Sequence, residues 1–448
     1  MTQYEKAQAL VEVLGERHGD EFALGGIAAS AIAEQVGTPF FAYAGDALTA
    51  RLRRVKKTLG PEVELFFSLK ANPSLGLCQL IAQEGLGAEL ASVGELRLAQ
   101  RAGFSPRRAI FAGPGKSDQE LREAIEWGLE SINVESEGEL LRVAAAAARS
   151  HKTARVSLRV NPLSQVKGAQ MRMAGGHTQF GIDEEQLEGV LARVGRHPGI
   201  HVAGVHVYVG SQVADVEALL AHCRVVIELA ARVAGHSGTP LETIDFGGGF
   251  AVPYFEGAPE FDLEAFARGF QVIVEEGRRR LGPFRPIIEL GRYLIAECGV
   301  YVTRVLDVKQ SRGRTYAVTD GGMNHHITAT GNFGQVFRKP YPMLVLNRLQ
   351  QPRDASITVV GPCCTPLDVL GHDTELPNVS RGDLIGVFYS GAYGYSASSL
   401  NFLSHPTPAE ALVLGGELHV LREGGAADQV LAGQRALPDR STDTRKAG

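Results

Sequence analysis

Three short segments carry side chains suited to covalent and ionic chemistry. Phe66-Phe67-Ser68-Leu69-Lys70-Ala71-Asn72-Pro73 places a lysine at the end of an apolar run. Such a lysine ordinarily reaches for solvent. Enclosed in a pocket, its amine is desolvated, its pKa falls, and it attacks an aldehyde. Asp245-Phe246-Gly247-Gly248-Gly249-Phe250 follows a second apolar run. Its three glycines leave backbone N–H groups free to surround an anion, although a tight strand-to-helix turn needs glycines as well. Ile287-Ile288-Glu289-Leu290-Gly291-Arg292-Tyr293 sets a carboxylate close to a guanidinium. Glu289 has two readings. It pairs with Arg292 or another cation, or it keeps the ring nitrogen of a pyridine cofactor protonated, which makes the ring an electron sink. In the second reading Gly291 and Arg292 complete a phosphate cup with Gly247, Gly248 and Gly249.

Two further segments stand later in the chain. Gly361-Pro362-Cys363-Cys364-Thr365-Pro366-Leu367-Asp368 holds adjacent cysteines in a turn. A buried cysteine is usually a small apolar residue, whereas one beside Pro and Gly in a loop is placed for reactivity. Gly391-Ala392-Tyr393-Gly394-Tyr395 is a glycine-flanked aromatic loop, and its plainest reading is a turn with packed rings. Gly113-Pro114-Gly115-Lys116-Ser117 ends like a nucleotide P-loop but has Ile110 where that motif needs glycine. Gly85-Leu86-Gly87-Ala88-Glu89-Leu90 lacks the third glycine of a dinucleotide fingerprint. His325-His326 has no third ligand at a metal spacing and reads as a solvent-facing loop pair.

These residues need a scaffold. From residue 64 onward, short apolar runs alternate with helical patterns: Glu64–Leu69, Ala88–Ala91, Ala109–Ala112, Ser131–Glu135, Ala154–Val160, His201–Val209, Thr243–Phe246 and Pro286–Glu289. Eight β-α units in series predict a closed parallel (β/α)8 barrel, with an open doubly wound sheet as the alternative. In such a barrel the active site lies at the C-terminal ends of the strands, where Lys70, the triple glycine and Glu289 fall. After residue 294 the pattern turns to short strands with turn signals, which predicts a second, mainly β domain joined by the N-terminal segment. The expected division is 45–294 for the barrel, 1–44 plus 295–435 for the β domain, and a disordered tail over 436–448.

Bulk properties narrow the class. The 448 residues carry a net charge of −5, which offers no basis for a nucleic-acid partner. Five cysteines, two of them adjacent, do not form a disulfide framework and fit a reducing compartment. The N-terminus lacks a signal-peptide apolar core and no long apolar span occurs, so a cytoplasmic protein without a membrane segment is expected.

In this order, from Gly25 to Leu421, the segments resemble the fold-type III pyridoxal 5'-phosphate (PLP) decarboxylases, relatives of diaminopimelate and ornithine decarboxylase. The resemblance implies an α/β, alanine-racemase-like barrel plus β domain, PLP as cofactor, and a homodimer with active sites at the interface. It implies that Lys70 holds the cofactor as a Schiff base and that Glu89 stands near it. Glu289 then partners the pyridine nitrogen, where racemase relatives carry Arg. Ser211, Gly247, Gly248, Gly249, Gly291, Arg292 and Tyr393 serve the phosphate. Cys364 is the cysteine supplied across the dimer interface to protonate the carbanion. Two positions depart from the diamino-acid enzymes. Thr365 replaces the acid that pairs with a distal ammonium, and a neutral hydroxyl cannot compensate a buried charge. Tyr208 replaces the histidine that packs on the cofactor ring, keeping a stacking face without a titratable nitrogen.

These departures, with Met171-Arg172-Met173-Ala174-Gly175-Gly176 and Phe402-Leu403-Ser404-His405-Pro406, resemble the butirosin- and siderophore-pathway branch. Its substrates are carrier-bound aminoacyl groups or intermediates with a large non-cationic group in place of the distal amine. Arg338 and Tyr341 stand where diaminopimelate enzymes bind substrate. The alternatives are a diaminopimelate decarboxylase of lysine biosynthesis, a non-catalytic decarboxylase-like regulator, and a barrel enzyme without PLP.

Overall fold

The computed structural model describes residues 1–163, 171–172, 176–194, 197–208, 210–332 and 339–437. Arg338, residues 173–175 of the Met171–Gly176 motif and positions 438–448 of the expected tail lie outside the described residues.

Eight parallel strands form the first body: β1 (Glu64–Ser68), β2 (Gly87–Leu90), β3 (Ala109–Phe111), β4 (Ser131–Val134), β5 (Ala154–Asn161), β6 (Ile200–His206), β7 (Thr243–Gly248) and β8 (Arg285–Leu290). They pair in the order β5-β6-β7-β8-β1-β2-β3-β4, and β4 pairs back onto β5, with Ile132 opposite Val156. The barrel is closed, as the eight β-α units predicted. Closure leaves both faces of each strand covered, which is why these segments read as apolar runs.

Helices wrap the outside, and five of them start at side-chain caps. Ser92, Ser117, Ser136, Asp215 and Asp262 each accept a backbone N–H three residues on, satisfying a donor that the first helical turn leaves unpaired. Inside, the barrel floor is filled by Phe66, Ile110 and Ile287, which form their own apolar cluster. Gly87 makes room for it, since a Cβ there would lie 2.7 Å from the Phe66 ring. Burying a ring this completely contributes about 2–3 kcal/mol.

The second body is a sheet ordered Val369–Leu376, Ala355–Val360, Arg314–Thr319, Gly299–Ser311, Phe40–Ala44, Ala409–Leu414 and Glu417–Arg422. Phe40–Ala44, which precedes the barrel in sequence, runs antiparallel to Gly299–Val302 and parallel to Ala409–Val413. Among the described residues no α-helix follows Gly299. No helix among the described residues is long and apolar enough to cross a membrane.

Candidate active site

Side chains on a strand alternate between faces. On β2 the residue two after Gly87 is Glu89, and on β8 the residue two after Ile287 is Glu289. On β6 and β7, Gly204 and Thr243 face one another: a Cβ on Gly204 would lie 2.4 Å from Thr243 Oγ1. Two residues on stand His206 and Asp245. Above an apolar floor, the next inward layer is thus polar and sits at the strand ends.

Lys70 rides on a short 3-10 turn, Leu69–Ala71, after β1. Its Nζ lies 3.0 and 2.9 Å from the two carboxylate oxygens of Glu89, which is 2% exposed. The Lys70 side chain itself is 43% exposed, so the amine stays open to an incoming molecule. Burial acts to lower its pKa, but Glu89, with Tyr393, Tyr208 and Glu289, outweighs burial and the net shift is upward. The expected fall is therefore corrected. Desolvation alone would free the amine, whereas a carboxylate in contact holds it as an ammonium. The ring centroid of Tyr208 is 5.9 Å from this ammonium. Burial pushes the Tyr208 phenol up to about 12, with the charge of Lys70 opposing.

The Lys70 turn is tied to the β domain. Ala71 O accepts the Tyr393 N–H at 2.7 Å, and Asn72 Nδ2 donates to Gly391 O at 3.0 Å. Ser396 Oγ donates to Lys70 O and Ala71 O at 3.3 Å. Tyr393 adopts a left-handed backbone (φ 58°), which turns the loop here.

Across the barrel, Glu289 Oε1 is buried without a partner, while Oε2 lies 3.5 Å from His206 Nε2. Glu289 does not pair with Arg292. The Arg292 guanidinium instead sits 4.9 Å from the Tyr393 ring centroid and 5.9 Å from that of Tyr254. Among the described residues it has no hydrogen bond or ion pair. Ser211 Oγ is likewise buried without a partner. Gly247 (φ +65°) and Gly249 (φ +95°) form the turn beside it. A Cβ on Gly249 would lie 2.2 Å from Gly210 O, so the loops after β6 and β7 touch only because it is absent. Tyr208 and Tyr393 are electrostatic neighbours of both Lys70 and Arg292, so the amine and the guanidinium mark two ends of one site.

These features fit PLP. An open amine suits its aldehyde, a buried carboxylate oxygen without a donor suits its ring N–H, and an unpaired guanidinium with a free hydroxyl suits its phosphate. Lys70, Glu289, Arg292, Ser211 and the glycine turn would hold it, with Tyr208 and Tyr393 alongside.

Tyr341 belongs to the guanidinium end of the site, as an electrostatic neighbour of Arg292. Tyr341 is buried, its ring 4.7 Å from Tyr254 and 5.8 Å from His326. Cys364 is exposed and Cys363 buried. Asp368 anchors their turn by accepting the N–H groups of Cys363 (2.8 Å) and Met323 (2.6 Å). Among the described residues no hydrogen bond, ion pair or ring contact joins Cys364 or Thr365 to Lys70, Glu289 or Arg292. His325 and His326, expected at a solvent-facing loop, are both buried. His325 Nε2 meets Pro406 O at 2.9 Å and His326 Nε2 meets Ser390 Oγ at 2.8 Å. Burial, the larger influence on each, lowers His325 to about 4 and His326 to about 3, which keeps both neutral. Sequence reasoning passed over His206 and Asp245. The signal available was a polar residue on the inward row of its strand, two places after a small filler.

Known proteins resemble this chain in sequence and fold. Residues 46–296 match the family model described as pyridoxal-dependent decarboxylase, pyridoxal binding domain. The chain is 39% identical over 409 residues to the L-glutamyl-[BtrI acyl-carrier protein] decarboxylase of Niallia circulans, covering 90% of this chain and 95% of the relative. It is 33% identical over 376 residues to the 2-[(L-alanin-3-ylcarbamoyl)methyl]-2-hydroxybutanedioate decarboxylase of Staphylococcus aureus, covering 81% and 90%. A solved diaminopimelate decarboxylase from Helicobacter pylori, complexed with L-lysine, superposes with a TM-score of 0.81 at 28% identity, covering 90% of this chain and 98% of that one. With a closed barrel, an amine and an acid at its mouth, and a family match spanning that barrel, this chain belongs to the pyridoxal-dependent decarboxylases.

Proposed function

We propose that this enzyme removes the α-carboxylate of an amino-acid group whose far end carries no ammonium, either carried on a protein or built into an acylated intermediate. Bound PLP supplies the electron sink for the pair left when the Cα–carboxylate bond breaks and carbon dioxide departs. Lys70 anchors the cofactor, Glu289 holds a proton at the ring nitrogen, and Arg292 with Ser211 and the glycine turn binds the phosphate. Cys364 of the partner subunit delivers the proton to Cα in a homodimer, which accounts for a cysteine that is exposed in one copy. Arg338, Tyr341 and Thr365 contact the substrate. All five cysteines are unpaired, which supports a reducing, cytoplasmic setting.

The observation that carries the substrate reading is Thr365, half-buried beside Cys364. Its hydroxyl accepts the Leu367 N–H at 3.3 Å and offers no charge for an ammonium. The relatives from N. circulans and S. aureus are named for a carrier-linked glutamyl group and a hydroxybutanedioate amide. Both support a substrate without a distal cation.

A panel scored for carbon dioxide release tests the reading: glutamyl-carrier protein, acylated diamino acids, and free meso-diaminopimelate. Release from the first or second class is expected. Faster turnover of meso-diaminopimelate would make this an enzyme of lysine formation, and no release from any member would favour a non-catalytic regulator. In the same assay Thr365→Glu is expected to raise the kcat/KM for diaminopimelate by about 10-fold or more, the scale of supplying one partner to a buried charge. An unchanged value would remove Thr365 from the specificity argument.

A further inference from the structure

Asp245 stands at the mouth of the barrel beside the cofactor-facing acid and has no role above. It is 3% exposed. Its Oδ1 accepts the Gly247 N–H at 2.9 Å, so this carboxyl shapes the first turn of the glycine loop. Its Oδ2 is fully enclosed and meets no N–H or hydroxyl donor among the described residues. One oxygen of Asp245, one oxygen of Glu289 and one ring nitrogen of His206 lie within 4.8 Å of one another, all buried.

Two carboxylates this close and sealed from water cannot both be ionised without a large penalty. The surroundings decide which keeps the charge. Glu289 faces His206 at 3.5 Å and feels the ammonium of Lys70. Asp245 faces Glu289 and a backbone N–H. Burial and Glu289 push Asp245 far above the usual carboxylate range. Burial acts on Glu289 in the same sense, but the facing His206, the neighbouring Asp245 carboxyl and the Lys70 ammonium together outweigh it and hold Glu289 low.

We propose that Asp245 is a neutral positioning residue whose protonated Oδ2 donates to Glu289 while Oδ1 accepts the Gly247 N–H. One side chain then links the acid at the ring nitrogen to the turn at the phosphate. It does so without adding a second negative charge, which would compete with Glu289 for the proton. The consequence for the cofactor rests on Glu289 being the ring-nitrogen partner; the proton on Asp245 does not.

An asparagine reproduces both bonds, with Nδ2–H donating and Oδ1 accepting, whereas an alanine makes neither. Asp245→Ala is expected to weaken PLP binding by about 30-fold, the loss of a hydrogen bond to a charged group plus the turn anchor. Asp245→Asn is expected to recover affinity to within about 5-fold of the parent, since it keeps both bonds. Equilibrium dialysis of PLP reads both. Infrared spectra of the holoenzyme supply a second readout. A protonated-carboxyl C=O band should move when aspartate carboxyls carry carbon-13 and should vanish in Asp245→Asn. Asparagine binding PLP as weakly as alanine, or no labelled carboxyl band in the parent enzyme, would overturn the proposal. The labelled parent enzyme decides even if a variant does not fold. If Glu289→Gln leaves the pH titration of the bound cofactor's absorbance unchanged, the ring-nitrogen reading fails while the parent enzyme still shows the Asp245 band, so the two failures are distinguishable.

Discussion

Lys70→Ala lowers carbon dioxide release by about 10³-fold or more, the scale of losing the nucleophile that holds the reacting group covalently, and leaves no borohydride-trappable cofactor on the chain. The same change leaves Glu89, 2% exposed, without its ammonium. Breaking a fully buried pair costs about 3–5 kcal/mol, but Lys70 is 43% exposed and solvent screening reduces this to about 1–2 kcal/mol. Lys70→Arg separates the two effects. A guanidinium keeps the charge beside Glu89 but cannot attack an aldehyde. It should preserve the thermal midpoint of the cofactor-free protein and still abolish trapping. Trapped cofactor in Lys70→Ala, found by mass spectrometry after reduction, would place the covalent bond elsewhere.

Arg292→Ala should raise the Kd for PLP by about 100-fold or more, since truncating one partner of an enclosed charge pair costs about 2–5 kcal/mol. The free protein behaves differently. Arg292 has no anion among the described residues, and its neighbours are the Tyr393 and Tyr254 rings. Removing an uncompensated charge relieves a desolvation cost, so the midpoint of the cofactor-free protein should not fall. A large loss of stability without PLP would make Arg292 a structural residue. Wild-type affinity in the variant would move the phosphate to another part of the barrel mouth. Pyridoxal without its phosphate provides the control, since it should bind parent and variant alike.

Much of the scaffold is legible in the sequence. The eight runs from Glu64 to Glu289 match the eight barrel strands because parallel strands, covered on both faces, must be continuously apolar. Lys70 and Glu289 stood out because each is charged at the end of such a run, where a barrel opens. The β domain was visible as a change of rhythm after residue 294, but the place of Phe40–Ala44 between Gly299–Ser311 and Ala409–Leu414 was not, since pairing across more than 250 residues on one side and more than 360 on the other leaves no local trace. His325 and His326 show the opposite error. Polar side chains in a loop suggest solvent, yet partners far along the chain, Pro406 and Ser390, satisfy them in the interior.

The charge states at the mouth followed the same division. Desolvation of Lys70 was foreseeable from its place in a barrel, and taken alone it gave the wrong sign, because Glu89, 19 residues away, touches it only once β1 and β2 lie side by side. Asp245 was present in the glycine segment but had no visible purpose until β7 and β8 paired and set it against Glu289.

The order of side chains along the chain determined which groups stand at strand ends and therefore what chemistry is available, because a two-residue repeat and apolar burial are local rules. Which of those groups meet, and hence which proton sits where, was decided by strand pairing in the barrel and by the β-domain loop laid against it: Coulomb interactions in a low-dielectric interior depend on distances of a few ångströms between residues that the sequence keeps far apart.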